Sequence, residues 1–176
     1  MPRSQNNELA GGFTHYRIIG SEEVVDNAVS GVSAITAFAI PAGTVLKDVC
    51  VRVNRGFYEN AAGGSTAFTY RVGDDTDVDG FITQQTISTA GDSPILAGSS
   101  GMVAWNNGAY FIGTDSAGAT TGNVVNGKAY STANIVKVTI STDDEWIALQ
   151  DGELFVGANI STHPLMHLAD AEHTYS

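Results

Sequence analysis

The sequence predicts an all-β protein of the sandwich or barrel type, on three observations. Val and Ile total 28 residues against 7 Leu. β-branched side chains fit a pleated surface and lose rotamer freedom in a helix. Apolar and polar residues alternate with a period of two in roughly eight or nine short segments, and turn signals recur every ~8–12 residues.

Each element has its own reason. Residues 1–12 are polar and end in Gly11-Gly12, which reads as an N-terminal arm. Thr14 to Ile19 is the first strand. Ser21 to Val29 is ambiguous. Val24, Val25, Ala28 and Val29 recur at helical spacing, with Ser21 placed to cap them. Val32, Ala34, Thr36, Phe38 and Ile40 alternate onto one face of a strand that ends at Pro41-Ala42-Gly43. The next strand, Val45 to Asn54, puts Val45, Val49, Val51 and Val53 on its core face. Leu46, Asp48, Cys50, Arg52 and Asn54 take the other face, exposed or at an interface.

Asn60 to Ser65 is a Gly-containing hairpin loop. It leads to Phe68, Tyr70 and Val72 on one face, with Ala67, Thr69 and Arg71 on the other. Gly73 to Gly80 is an acidic turn and Phe81 to Ile87 a strand. Residues 88–101 read as a long loop, and Met102 to Ile112 as one or two strands around Asn106-Asn107-Gly108. Residues 113–128 are again rich in Gly, Thr and Asn. Ile135 to Ile140 turns Val136, Val138 and Ile140 inward. Trp146 to Leu149 and Leu154 to Ile160 close the set, separated by Asp151-Gly152. One domain, residues 13–160, is expected between an arm at 1–12 and a C-terminal arm at 161–176.

Composition narrows the function. The chain has 176 residues, with 8 Lys+Arg against 19 Asp+Glu, a net charge of −11. That balance argues against nucleic acid, whose affinity comes largely from Lys and Arg on phosphates, and against an anionic membrane surface. The single Cys excludes an intrachain disulfide framework. The polar N-terminus is no signal peptide, and no run approaches the ~18 apolar residues of a membrane helix.

The chemical motifs each compete with a plainer reading. Asp75-Thr76-Asp77-Val78-Asp79-Gly80 matches the first half of a calcium loop, with Asp75, Asp77 and Asp79 as candidate ligands. Eleven residues after Asp75, however, stands Thr86 rather than the bidentate Glu of an EF-hand. The stronger reading is a hairpin turn. His163 and His167 stand four apart, with His173 beyond, but Pro164 follows the first and no Glu lies between them as in H-E-x-x-H. A partner-docking arm, or a pH-sensitive contact beside Asp170 and Glu172, fits better than zinc.

Cys50, with Arg52 on its face, reads as a packing residue rather than a nucleophile. Ser99-Ser100-Gly101 is no nucleophile elbow. Asp143-Asp144-Glu145 reads as a solvated turn rather than a glycosidase pair. Phe57, Tyr58, Trp105 and Tyr110 are candidates for sugar stacking, with core or interface packing the stronger reading. No catalytic residue, cofactor or firm metal site is expected. From Asp143 onward the chain holds seven acidic residues and no Lys or Arg, a surface suited to a basic patch on a partner.

Four stretches carry a resemblance. They are Ile40-Pro41-Ala42-Gly43-Thr44-Val45-Leu46-Lys47-Asp48-Val49, Val72-Gly73-Asp74-Asp75-Thr76-Asp77-Val78-Asp79-Gly80-Phe81, Val136-Lys137-Val138-Thr139-Ile140, and Leu149-Gln150-Asp151-Gly152-Glu153-Leu154-Phe155-Val156. In order and spacing they resemble small virion structural proteins of tailed bacteriophages, of the capsid decoration (cement) type. The resemblance spans roughly residues 32–160 at these motifs and leaves out both arms and 113–128. It implies a jelly-roll-like β-sandwich, with a final hairpin at the fourth stretch. It also implies a non-enzymatic protein that binds the major capsid protein on the virion surface, after synthesis in the host bacterial cytoplasm. Self-association, as a homotrimer, follows from the resemblance and from the symmetry habit of such assemblies. A carbohydrate- or receptor-binding β-sandwich module of a phage tail or head fibre is the alternative expectation.

Overall fold

The computed structural model describes residues 12–59, 67–88, 103–112, 127–142 and 149–162. Among them are ten strands: β1 (His15–Gly20), β2 (Ala28–Val29), β3 (Val32–Ile40), β4 (Thr44–Glu59), β5 (Ala67–Asp74), β6 (Ile82–Ser88), β7 (Val103–Trp105), β8 (Lys128–Tyr130), β9 (Asn134–Thr142) and β10 (Leu149–Thr162). Two short helices, α1 (Ser21–Asp26) and α2 (Ala109–Ile112), interrupt them.

The strands form two antiparallel sheets. Sheet A runs β1-β10-β4-β7, and β8 also pairs with β4, farther along that strand. Sheet B runs β2-β3-β9-β5-β6. Most connections change sheets: β1 to β3, β3 to β4, β4 to β5, β6 to β7, β8 to β9 and β9 to β10. With β7 and β8 counted as one interrupted strand, this is the double Greek key of a jelly roll. The all-β sandwich is therefore the observed fold.

Alternation explains the core. Ile19, Val49, Val51, Val53, Leu154, Val156 and Ala158 point inward from sheet A. Phe68, Tyr70, Val72, Val136, Val138 and Ile140 meet them from sheet B. Each large aliphatic or aromatic side chain buried this way contributes roughly 1.5–3 kcal/mol.

Bulges account for most departures from the sequence pattern. The β3–β9 register shifts between Thr36 and Phe38. Val32, Ala34 and Thr36 therefore face solvent while Phe38 and Ile40 face the core, splitting the single face expected for them. The β10–β4 register shifts between Asn159 and Ile160, which pair with Asp48 and Leu46 and leave Lys47 as the extra residue. Leu46 is consequently buried in place of Val45.

Asp151-Gly152 does not end a strand. β10 continues through it from Leu149 to Thr162, with register shifts on both sides of Asp151. Gly152 has φ +145°, and a Cβ there would lie 2.4 Å from the Phe57 ring. The expected final hairpin is thus a bulged strand. β10 also takes in Ser161 and Thr162, which the sequence pattern assigns to the C-terminal arm. Trp146 lies outside the described residues.

The ambiguous segment 21–29 divides. Val24 is buried under α1, Gly20 rather than Ser21 is the N-cap, and Asn27 closes the helix by donating to the Glu23 carbonyl. Ala28–Val29 then pairs with Val32–Ser33 around Ser30 (φ 48°) and Gly31 (φ 76°). Two successive positive φ values make this a two-residue type I′ hairpin. The segment around Asn106-Asn107-Gly108 forms one short strand and one helical turn. Strand β8 has no counterpart in the sequence reading, because three residues are too few for alternation to show.

Ser30 carries a Cβ at a backbone angle that Asn adopts with less strain. Ser30→Asn is expected to stabilise the fold by about 0.5 kcal/mol. The urea midpoint checks this, and an unchanged or lower midpoint would rule out the type I′ assignment.

Candidate binding surface

Sheet A has a second, outward face. On β1, Tyr16 and Ile18 alternate with inward Arg17 and Ile19. Arg17 is held by hydrogen bonds to the Thr36 carbonyl and the Glu23 carboxylate. Strand register builds two rows across four strands. Ile18 lies beside Phe155, Phe155 beside Arg52, and Arg52 beside Val103. Tyr16 lies beside Gly157, Gly157 beside Cys50, and Cys50 beside Trp105.

The rows form an aromatic surface. Tyr16 stacks on Phe155 at 5.9 Å between ring centroids. Phe13 tilts over both Trp105 (5.2 Å) and Phe155 (6.0 Å). The Arg52 guanidinium sits 5.0 Å from the Phe155 centroid, a cation–π contact. Gly157 makes room for this stack, since a Cβ there would fall 2.5 Å from the Phe13 ring. Val103 (56%), Trp105 (50%), Ile18 (50%) and Tyr16 (37%) keep much of their surface in solvent. A contiguous exposed apolar patch of this kind usually marks an interaction site.

A chain of polar contacts fixes the patch. Asp48 accepts from Asn106 (3.0 Å) and from Asn159 (3.0 Å). Asn106, at φ 44°, exchanges hydrogen bonds with the backbone of Val49 and so locks β7 to β4. Asn159 accepts from the Thr14 backbone N–H at 3.1 Å, which seats the neighbouring Phe13.

Cys50 is buried beneath this surface. Burial pushes its thiol up to about 11, with Arg52 pulling the other way. It is a neutral thiol near neutral pH, as the packing reading expects.

A second cluster closes one end of the sandwich. The Asp74 side chain is fully buried and accepts from Lys128 (2.7 Å), Tyr130 (2.6 Å) and Tyr110 (3.0 Å). The backbone N–H groups of Thr76 and Asp77 also donate to it. Burial alone would raise the Asp74 carboxyl. The bonds from Lys128, Tyr130 and the two amides outweigh it and hold the group down at about 2. Lys128 lies between the rings of Tyr110 (4.0 Å) and Tyr130 (5.3 Å). Burial, and then Asp74 itself, pushes both phenols well above their ordinary range.

The calcium candidates separate. Asp75 turns outward to Lys137 at 2.6 Å. Asp77 accepts from the Asp79 backbone N–H, as a turn aspartate does. Burial and the neighbouring Asp77 carboxylate raise Asp79. Among the described residues, no group of three His, Cys, Asp or Glu is placed to hold a metal ion. The acidic segment forms the hairpin turn between β5 and β6, and Gly73 is required there because a Cβ would fall 2.0 Å from the Asp77 carbonyl oxygen.

Of the four stacking candidates, Trp105 alone is established as lying on the exposed face. Phe57 is core, Tyr110 belongs to the Asp74 cluster, and the Tyr58 side chain is outside the described residues. Ser99 to Gly101, Asp143 to Glu145 and the three C-terminal His also lie outside them. Sequence reasoning missed Asp74, Lys128 and Tyr130, whose partners are 36 to 56 positions apart. It also missed Phe13, Tyr16 and Phe155. The alternation of Phe155 with inward Leu154 and Val156 was a usable signal for an outward aromatic.

No family model and no curated protein matches the sequence. One solved structure, described as a cyanophage Pam1 capsid asymmetric unit, aligns over 82% of this chain and 79% of that one. Its TM-score is 0.44, at 16% identity.

The folded-state value of Asp74 lies below the ordinary ~3.9, so its stabilisation is complete above roughly pH 5 and lost as pH falls toward 2. Asp74→Asn, which leaves Lys128 without its carboxylate, is expected to cost about 2–4 kcal/mol at pH 7. The gap between wild type and variant in urea unfolding should narrow at pH 3. A gap of the same size at both pH values would exclude Asp74 as the acid-labile tie.

Proposed function

We propose that this protein is a non-enzymatic structural component of a tailed-phage virion, a head decoration protein that binds and stabilises the major capsid shell. The observation that carries this reading is the aromatic and arginine face spread across four strands of sheet A. A patch fixed in place before binding loses little side-chain freedom when a partner covers it. Aromatic residues and Arg are also the types that dominate binding energy in interfaces.

The four motif stretches support the same reading. They fall at the β3–β4 corner, the β5–β6 turn, and in β9 and β10, where they set the frame of the sandwich. Carboxylates here serve that frame: Asp74 binds Lys128, Asp75 binds Lys137, and Asp48 binds two amides. The action is mechanical. The domain associates as a trimer through head-to-tail contacts and bridges neighbouring capsid subunits against internal pressure. Its partners are the major capsid protein and its own copies. Its place is the virion surface after synthesis in the bacterial cytoplasm. The net charge of −11 disfavours nucleic acid and anionic membrane as partners.

A second reading, a carbohydrate-binding module of a tail or head fibre, draws on half-exposed Trp105 beside Asn106, Asp48 and Asn159. A glycan array separates the two.

Co-sedimentation with expanded capsid shells is the direct test. Wild type should bind as a trimer. Trp105→Ala and Arg52→Glu should weaken binding about tenfold or more, with a melting temperature within a few degrees of wild type. A strict monomer that does not bind shells would overturn the reading.

A further inference from the structure

We propose that Arg71 and Thr139, on the outer face of sheet B, form a binding site for a small, singly charged carboxylate. The site lies on the opposite side of the sandwich from the aromatic face and does not depend on the virion reading.

Strand register brings the two side chains together. Tyr70 and Val72 are buried in the core, so Arg71 between them faces outward. Val138 and Ile140 place Thr139 outward in the same way. Arg71 and Thr139 pair directly across β5 and β9, with Ala34 of β3 on the far side of Thr139. Cβ atoms paired in this way lie ~4.5–5.5 Å apart. On its other side Arg71 meets a bulge. The β5–β6 register shifts between Tyr70 and Val72, so Thr83 and Gln84 together oppose Arg71.

Both groups have unmet hydrogen-bonding capacity. The Nε of Arg71 is buried without a hydrogen-bond partner. Arg17, Arg55, Lys128 and Lys137 each have a carboxylate within ion-pair distance, whereas Arg71 has none among the described residues. Thr139 is only 8% exposed although it faces outward, and its hydroxyl has no partner among the described residues. Enclosed donors left unpaired are costly to the free protein. A carboxylate that draws the guanidinium up from the sheet accepts two parallel N–H bonds from its Nε and Nη edge. The same movement uncovers the Thr139 hydroxyl as a third donor.

Charge selects the ligand. Lys137, two residues along β9 from Thr139, is already met by Asp75 at 2.6 Å. Asp79 feels the Arg71 charge, but burial and Asp77 outweigh it and raise that carboxyl. The face therefore offers one uncompensated guanidinium between two aspartates. A carboxylate brings one charge and a planar pair of oxygens that fit its edge. A dianion such as phosphate meets added repulsion from Asp75 and Asp79.

NMR on the full chain tests this at about pH 6.5, where acetate is ionised. Sodium acetate replaces sodium chloride at constant ionic strength, and the Arg71 Nε–H and Thr139 amide signals are followed. The Nε–H signal is assigned by its loss in Arg71→Lys. The expected result is a saturable shift of both signals with a midpoint of about 1–10 mM. The Thr139 amide shift should vanish in Arg71→Lys. Thr139→Val should weaken binding about fivefold or more, read at the Nε–H, while the core amides of Val138 and Ile140 stay in place. A linear shift with no saturation would overturn the proposal. So would an unchanged midpoint in Thr139→Val, or tighter binding of inorganic phosphate than of acetate.

Discussion

The buried carboxylate of Asp74 is the interaction on which much of the architecture turns. It stands where β5 leaves sheet B, and it gathers groups from α2, from β8 and from the following turn. A carboxylate removed from water is costly unless its oxygens are occupied and its charge is met. Here one ammonium, two phenols and two amides meet it. Satisfying that one group therefore fixes the position of strand β8, the helical turn α2 and the acidic hairpin.

The effect reaches the aromatic face through the backbone. Tyr110 donates its amide to Gly80, and Gly108 donates to Phe81. Gly80 and Gly108 have no side chains because ring and backbone already fill the space a Cβ would take. The strap 106–111 thus ties the end of sheet B to β7 of sheet A. Asn106 passes the constraint to Asp48, Asp48 to Asn159, and Asn159 to the chain beside Phe13. The exposed rings are held by the same polar framework that closes the sandwich. That explains how an apolar patch stays ordered with half its surface in water.

The sheet faces divide the labour. The inner face of sheet A is mainly aliphatic, with Phe57 packed on Phe68 across the core, while its outer face mixes aromatics, Arg and small residues. The outer face of β3 in sheet B, with Val32, Ala34 and Thr36 outward, carries no aromatic ring. That asymmetry sets the outer face of sheet A apart from the outer face of β3.

By itself, the sequence determined the fold class, the inward faces of β5 and β9, and the hairpin character of the acidic turn. These rest on local period and turn chemistry, which any stretch of ten residues carries within it. Cys50 as a packing residue was legible for the same reason. Tertiary structure decided the rest. Bulges at Ala37 and Lys47 reassign residues to opposite faces, because one extra residue inverts a period of two. The sheet order, the Asp74 cluster and the two rows of the aromatic face unite residues separated by tens to more than a hundred positions. No local pattern encodes such pairings; they appear only once strand register places the partners side by side.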